Sequence, residues 1–182
     1  MEMKYNRSEV YNKKIKNLSK VISGIGFEET KTLPTIVGLC EVENKNVVED
    51  LINSDLLKNA NYGISHFDSP DERGIDVALI YRKNMFKILN ENSAYLELKY
   101  ASGKINYTRD QLVVEGILEN EKIYIIVNHW PSRSGGELGS RPYRNKAAEL
   151  NVFIICSIQS INKNAKIITI VDFNYDPTNE SI

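Results

Sequence analysis

The sequence predicts a single α/β domain in which helices cover two sheets, and two patterns favour this fold class. Seven short runs of branched and aromatic residues have the length of strands, and several are apolar on both faces, as in sheets covered on both sides. Three other stretches repeat apolar residues at helical spacing. With 182 residues, the chain is about one domain long and can bury a substantial core.

The first two helices are predicted near the start of the chain. The apolar face of the first is formed by Tyr11, Ile15, Leu18, Ile22 and Ile25. These residues are spaced by three or four, and Asn6 or Ser8 precedes them as a cap. The second helix follows Asn44, carries Val48 and Leu51 on its apolar face and is predicted to extend to about Leu57.

A third helix is predicted late in the chain. Its apolar positions are Ala147, Leu150, Ile154, Ile158 and Ile161. Ser140 and Pro142 precede most of them in positions suited to a helix start.

The strands and their connections complete the predicted domain. Strands are predicted at residues 35–42, 62–67, 75–82, 86–98 with a break, 112–118, 122–129 and 167–173. Residues 68–74 form a polar connection, and residues 119–121 form a tight hairpin. Residues 101–106 are predicted to be an exposed loop.

Polar side chains stand where three of these strands end. Glu41 is near the end of the first strand, His129 ends the sixth, and Asp172 and Asn174 end the last. Alternation predicts that His129 lies on the same face as Val127 and that Asp172 and Asn174 share a face. A rigid scaffold commonly holds out functional side chains in this way. Carboxylate oxygens bind a hard cation such as Mg²⁺ or Mn²⁺, a histidine moves protons near neutral pH, and a neutral amide orients water or phosphate. The set predicts a metal-assisted hydrolytic site.

Composition restricts the partners. The 23 basic and 24 acidic residues give a net charge of -1, so contact with a polyanion has to be local. No stretch approaches the roughly 18 apolar residues of a membrane span. Residues 1–9 lack the apolar core of a signal peptide, and the localisation stays open. Cys40 and Cys156 both lie in apolar stretches, which predicts two buried thiols and no disulfide.

Five ordered motifs resemble one family. GLCEVEN at 38–44, RGIDVALIYR at 73–82, TRDQLVVEG at 108–116, VNHWPSR at 127–133 and VDFNYDP at 171–177 are similar to motifs of the endonuclease/exonuclease/phosphatase superfamily. This group includes pancreatic deoxyribonuclease and the apurinic endonucleases, and the likeness is strongest to bacterial members. It covers about residues 10–179.

The resemblance implies a role for each motif residue. Glu41 would bind Mg²⁺ or Mn²⁺, and Arg109 would contact phosphate. His129 would bind phosphate or donate a proton, while Asp172 and Asn174 would orient the attacking water and the phosphate. The implied fold is a four-layered α/β/β/α sandwich of two mixed sheets flanked by helices, within a single domain spanning residues 1–182. The implied activity is divalent-metal-dependent hydrolysis of phosphodiesters in nucleic acid, and no protein partner is implied.

The chain also departs from the family pattern. Members of the family begin with a strand that carries a metal-site asparagine and end with an Asp-His pair, and neither has a counterpart here. We therefore expect an incomplete sandwich that folds poorly or aggregates in isolation and has little activity. Val171 stands where the family usually has glycine before the aspartate.

Several alternatives stay open from the sequence. The substrate could be a lipid or inositol phosphate, or the chain could be a non-catalytic remnant. Arg109 could instead form a surface ion pair beside Asp110, and Asp172 and Asn174 could be turn formers. Asp76 could buttress His129 or face a neighbouring strand.

Three further features have two interpretations each. Trp130 could stack on a base or pack beneath its loop. The basic residues around it could meet a polyanion or form a solvated helix terminus; they are Arg133, Arg141 and Arg144, with Ser132 beside them. His66 is expected to be structural.

Overall fold

The computed structural model describes residues 7–174, which form four α-helices and seven strands in two sheets. The helices are α1 (Arg7–Gly24), α2 (Phe27–Thr30), α3 (Lys45–Ile52) and α4 (Glu137–Ile161). The strands are β1 (Ile36–Val42), β2 (Tyr62–His66), β3 (Asp76–Arg82), β4 (Phe86–Ala94), β5 (Gln111–Leu118), β6 (Glu121–His129) and β7 (Lys166–Asp172). A short 3₁₀ helix, Lys58–Ala60, precedes β2.

The strands are arranged as two separate sheets. The three-stranded sheet has the order β1-β3-β2 and is antiparallel throughout. The four-stranded sheet has the order β4-β5-β6-β7 and is mixed, because β6 and β7 run parallel while its other pairs are antiparallel. The long α4 supplies the crossover that a parallel pair requires.

Alternation along the strands separates the layers. On β3, Ala78 and Ile80 face the helices α1 and α3, whereas Val77 and Leu79 face the other sheet. On β6, Ile126 packs beneath α4, and its neighbours along the strand pack between the sheets. The result is the predicted α/β/β/α sandwich of two sheets with flanking helices, and the predicted fold class is confirmed. The prediction that both sheets are mixed was wrong, because the three-stranded sheet has only antiparallel pairs.

Close approach of the two sheets depends on a glycine in β1. An added Cβ at Gly38 would lie 2.7 Å from the Cγ2 atom of Ile170 on β7 and 3.3 Å from a methyl carbon of Val127 on β6. A larger residue would hold the sheets apart, because protein interiors have no spare volume at such contacts. Gly38 therefore sets how closely the end of β1 approaches β6 and β7.

Local signals in the sequence explain several element boundaries. Asn44 caps α3, since its side-chain oxygen accepts a hydrogen bond of 3.1 Å from the backbone N–H of Val47. β5 and β6 are joined through Glu119 and Asn120, both with positive φ as a tight hairpin turn requires. Of the two caps predicted for α1, Asn6 lies outside the described residues.

Some predicted boundaries were wrong. The second helix ends at Ile52 rather than near Leu57, because turns and the 3₁₀ helix carry the chain to β2. The third begins at Glu137, before the start marked by Ser140 and Pro142. Ile161 lies at the end of α4 and is exposed, as is Ile25 beyond the end of α1.

The prediction of two buried thiols was also wrong. Cys40 is half-buried and Cys156 is exposed, and both are free. Cys156 lies on the outer side of α4, because the apolar stretch there is wider than the helix face that packs on the sheet. Burial raises the pKa of the Cys40 thiol, which donates a hydrogen bond of 3.3 Å to the carbonyl of Asn128. Within residues 7–174, no helix combines the length and apolarity that crossing a membrane demands.

Candidate active site at the strand ends

Glu41 lies at an irregularity in β1. Cys40 pairs with Val77 and Val42 pairs with Asp76, so Glu41 is an extra residue in the ladder, a β-bulge with φ of 60°. Regular alternation would place Glu41 on the helix-facing side with Leu39. The bulge instead directs its carboxylate towards the edge of the second sheet. Such a conformation is strained for a residue other than glycine, and strain of this kind clusters at functional sites.

His129 and Asp172 are neighbours in the second sheet. The parallel register of β6 and β7 aligns His129 with Asp172, and both are the last residues of their strands. The imidazole lies on the same face as Val127, between the two sheets, as the alternation predicted. The carboxyl ends of parallel strands meet at one edge, which explains why these two side chains come together.

Three of the predicted site residues converge. The Nε2 atom of His129 lies 3.4 Å from Oε1 of Glu41 and 4.0 Å from Oδ2 of Asp172. The imidazole is 4% exposed, whereas the two carboxylates are 54% and 53% exposed. A buried imidazole thus forms the base of a shallow site whose rim is two solvent-accessible carboxylates.

The environment of His129 favours its neutral form. Burial is the largest influence and lowers the pKa of His129 below its ordinary value. The nearby guanidinium of Arg109 lowers it further, while the carboxylates of Glu41 and Asp172 act in the opposite direction. The imidazole is therefore mainly neutral at pH 7. Its Nδ1 atom has no hydrogen-bond partner among the described residues.

Asp172 and Asn174 form a turn at the end of β7. The backbone N–H of Asn174 donates a hydrogen bond of 3.0 Å to Oδ1 of Asp172, and Asn174 has φ of 50°, which asparagine tolerates. The Asn174 side-chain amide donates to the carbonyl oxygen of Trp130 at 2.9 Å. Alternation predicted that Asp172 and Asn174 share a face. The strand ends at Asp172, however, so the turn and not the alternation determines where the Asn174 side chain lies.

Arg109 is buried rather than on the surface. Its guanidinium donates hydrogen bonds of 3.1 Å to Oδ2 of Asp71 and 2.9 Å to the carbonyl oxygen of Trp130. The surface ion pair with Asp110 is not formed, and Asp110 accepts hydrogen bonds from Ser93 and the Leu96 amide instead. Asp71 had no signal in the sequence beyond its place in a polar connection, so its partnership with Arg109 was missed.

The Trp130 carbonyl links Arg109 to Asn174, since it accepts from both. The Trp130 ring is buried and contacts Phe173 edge to face, with centroids 4.8 Å apart. The packing interpretation of Trp130 is therefore confirmed. In the loop that follows, Arg144 is fully buried, bonding to the carbonyl oxygen of Ser132 and to Glu137; it does not face solvent as a free positive charge.

Asp76 faces away from His129. It shares the helix-facing side of β3 with Ala78, and its Oδ2 atom lies 3.0 Å from Nε2 of His66 on the neighbouring strand β2. Ser69 also donates to Asp76, from both its backbone N–H and its hydroxyl. Asp76 thus faces a neighbouring strand, as one of the two interpretations proposed, and His66 has a structural partner.

Two groups of side chains have donors suited to a cation. Glu41 and Asp172 supply exposed carboxylate oxygens beside one imidazole, and hard oxygen donors of this kind fit Mg²⁺ or Mn²⁺. His66, Asp68 and Asp76 also place ligand atoms within 4.8 Å of one another. In the second group, most of the atoms that could bind a metal are already engaged in hydrogen bonds between His66, Asp76 and Ser69.

The fold and these strand-end residues define a two-sheet α/β sandwich with an acidic and imidazole site at one edge. The chain belongs to the Endonuclease/Exonuclease/phosphatase family, whose family model matches residues 2–182. The family is named for enzymes that hydrolyse phosphoester bonds. No curated protein sequence is significantly similar to the chain.

Solved structures share the fold. The catalytic domain of human Nocturnin is 19% identical with a TM-score of 0.63, and the match covers 91% of this chain and 60% of that one. Truncated Caenorhabditis elegans TDP2 is 19% identical with a TM-score of 0.67, and the match covers 97% of this chain and 59% of that one. The Bacteroides thetaiotaomicron mannosyl-6-phosphatase Bt3783 is 15% identical with a TM-score of 0.63, and the match covers 94% of this chain and 60% of that one. At these identities the likeness shows the fold alone, and the chain spans about three fifths of the length of these three proteins.

Proposed function

We propose that the protein is a divalent-metal-dependent phosphodiester hydrolase that acts on nucleic acid. The observation that carries this proposal is the convergence of three residues that lie far apart in the sequence. Carboxylate oxygens of Glu41 and Asp172 both lie within 4.0 Å of the Nε2 atom of His129. Membership of a family of phosphoester hydrolases supports the class of reaction.

In the proposed site, Glu41 holds Mg²⁺ or Mn²⁺ next to Asp172. The cation, when bound, neutralises charge that develops on the phosphoryl group and on the leaving oxygen. The bulge in β1 suits this role, because it presents the Glu41 carboxylate to solvent at the strand ends instead of burying it beneath the helices.

His129 and Asp172 have complementary proposed roles. A neutral imidazole carries one N–H, which at Nε2 would donate to a phosphate oxygen. The carboxylate of Asp172 accepts hydrogen bonds through its oxygens and would orient the attacking water. Its own position is fixed by the backbone N–H of Asn174. Removing one such group commonly lowers the rate by about a hundredfold or more.

Asn174 and Arg109 are proposed to contact the phosphate. One N–H of the Asn174 amide is already bonded to the carbonyl of Trp130. The side-chain oxygen would accept a hydrogen bond from the attacking water, and the second N–H of the amide would donate to a phosphate oxygen. Two of the Arg109 nitrogens are likewise bonded, and its Nε has no partner among the described residues. The two recorded bonds use two of the five N–H groups of the guanidinium, so contact of Arg109 with phosphate would use one of the remaining N–H groups.

The test is hydrolysis of plasmid DNA, RNA and a small generic diester by the full-length protein with Mg²⁺ or Mn²⁺. His129→Ala and Asp172→Ala should each lower the rate by about a hundredfold or more. Ile161→Ala is the control, because Ile161 is an exposed residue at the end of α4, which leads to the start of β7, whereas Asp172 is at the other end of that strand. It should keep the rate of the unaltered protein. Unchanged turnover in either site variant would reject the assignment.

A second measurement separates the enzyme from a non-catalytic remnant. Calorimetric titration with Mn²⁺ should show binding that Glu41→Gln weakens, since the amide removes one anionic donor without changing the size of the side chain. Metal binding without hydrolysis of any diester would favour a remnant. Hydrolysis confined to inositol or lipid phosphates would favour the alternative substrate class.

A further inference from the structure

A cavity of about 330 Å³ lies beside the strand-end site. It is formed by the connection before β3, the loop between β4 and β5, the loop after β6 and the start of α4. Arg109 lines it and also bonds to the carbonyl of Trp130, the residue after His129. The cavity therefore adjoins the strand-end site through Arg109 and through Pro131 and Ser132, which follow His129 in the chain.

Tyrosine rings line much of this cavity. Tyr100 and Tyr107 are both well exposed, and Tyr143 joins Leu98 at its base. A small hairpin holds the first two in place, since the Tyr100 amide bonds to the carbonyl of Lys104 at 2.9 Å. Exposed aromatic rings on a fixed loop provide flat surfaces for stacking with a planar or ring-shaped ligand.

Two buried polar groups in the cavity wall lack partners. Thr108 is 2% exposed, and its hydroxyl has no hydrogen-bond partner among the described residues. The Nε atom of Arg109 is in the same condition. Buried donors and acceptors are nearly always paired, and an orphaned one is costly. Both residues line the cavity, and a small movement of their side chains, whose unpaired atoms are buried, would pair them with a polar ligand bound there.

The charges around the cavity balance. Asp71 and Glu72 oppose Arg73 and Arg109, and within residues 7–174 no other charged residue lines the cavity. Asp71 and Arg109 already neutralise each other through their buried ion pair. A cavity of this kind has no excess positive charge for a second phosphate, which disfavours inositol polyphosphates. It suits an uncharged ring with hydrogen-bonding groups at its edge.

We propose that this cavity binds an unpaired nucleobase next to the scissile phosphate, so that the enzyme prefers single-stranded nucleic acid to duplex. The proposal rests on the function proposed above. A base in a duplex is stacked between its neighbours and would have to be extruded at a cost of a few kcal/mol, whereas a single strand offers its bases freely. The cavity volume is near the lower end of the range for small-ligand pockets, about 300–1,000 Å³, which suits one nucleoside rather than several.

The test measures the binding of a fluorescent single-stranded oligothymidylate to the full-length protein in EDTA, where cleavage is suppressed. Stacking on an aromatic ring contributes about 1–3 kcal/mol per base, so Tyr107→Ala should weaken binding about 5- to 150-fold. Tyr107→Phe keeps the ring and should bind nearly as well as the unaltered protein. Tyr95→Ala, a comparably exposed tyrosine outside the cavity, should have no effect.

Thr108→Val provides an independent variant of nearly unchanged shape. It should weaken oligonucleotide binding while leaving the thermal stability of the free protein unchanged or raised, because it removes an unsatisfied buried hydroxyl. A variant that merely damaged the fold would lower both the affinity for the oligonucleotide and the thermal stability. Equal binding of duplex and single strand, or competition by mannose 6-phosphate or inositol phosphates but not by a nucleoside monophosphate, would overturn the proposal.

Failure of this inference can be distinguished from failure of the proposed function. Binding that depends on Tyr107, in a protein that hydrolyses no diester, would support the nucleobase cavity and reject the enzyme. Hydrolysis that depends on Asp172 but is insensitive to Tyr107, on single-stranded substrate, would support the enzyme and reject the cavity.

Discussion

Replacing Glu41 by glycine should separate the stability of the fold from the activity of the site. Glu41 occupies the left-handed region with φ of 60°, which costs an L-residue about 1–2 kcal/mol. Glycine adopts this region without that cost but loses more chain entropy on folding, about 0.5–1 kcal/mol. The net expectation is a rise of up to about 1.5 kcal/mol in the free energy of unfolding, or a Tm higher by up to about 6 °C for a domain of this size.

The same substitution removes the carboxylate proposed to hold the cation. Metal-dependent hydrolysis by Glu41→Gly should therefore fall by about a hundredfold or more, even though the protein is more stable. Such opposition between stability and activity is typical of strained functional positions. Urea unfolding gives the free energy, and a diester hydrolysis assay with Mg²⁺ or Mn²⁺ gives the rate.

Glu119 provides a matched control. It is also a glutamate with positive φ, 47°, but it is exposed in the hairpin between β5 and β6, outside the strand-end site. Glu119→Gly should raise stability by a similar amount and leave hydrolysis unchanged. The reasoning about Glu41 would be refuted if Glu41→Gly were less stable than the unaltered protein, or if it retained full activity.

Three other predictions concern packing, a buried ion pair and the cation. Gly38→Ala should destabilise the fold by about 1–3 kcal/mol in urea unfolding, since its Cβ would lie 2.7 Å from Ile170. Gly139→Ala lies in α4, where an added Cβ would contact nothing, and should stabilise the fold by up to about 1 kcal/mol. The packing argument would be contradicted if Gly38→Ala were the more stable of the two variants. Arg109→Met should cost about 3–5 kcal/mol by leaving the Asp71 carboxylate buried and without its main partner, with part recovered on adding Asp71→Asn; an unchanged midpoint would count against the pair. EDTA should abolish hydrolysis and added Mg²⁺ or Mn²⁺ restore it, whereas activity that persists in EDTA would exclude the proposed cation role.

The secondary structure was largely predictable because its signals are local. Alternating and fully apolar runs located all seven strands of the described residues, and Asn44 marked the start of α3. α2, a single turn, had no such signal. The start of α4 was misjudged, because Ser140 and Pro142 suit a helix start but the helix begins earlier, at Glu137. Its last residue, Ile161, was predicted, although that side chain is exposed.

The site was predictable in part. Polar residues at strand ends identified Glu41, His129 and Asp172, and the parallel register of β6 with β7 brings the last two together. Asn174 was expected on the same face as Asp172, but the chain leaves the strand before reaching it. The sequence motif could not predict the position of the Asn174 side chain, because a turn formed by one side-chain hydrogen bond ends the alternation of the strand.

By itself the sequence determined the identity of the strands, which of their faces are apolar and which strand ends carry reactive groups, because these depend on residues two to four positions apart. Only the tertiary structure decided that Glu41 is turned out by a bulge, that Arg109 pairs with Asp71, and that Tyr100, Tyr107 and Thr108 surround one cavity. These features depend on contacts between segments far apart in the chain, and their geometry exists only once the two sheets have packed together.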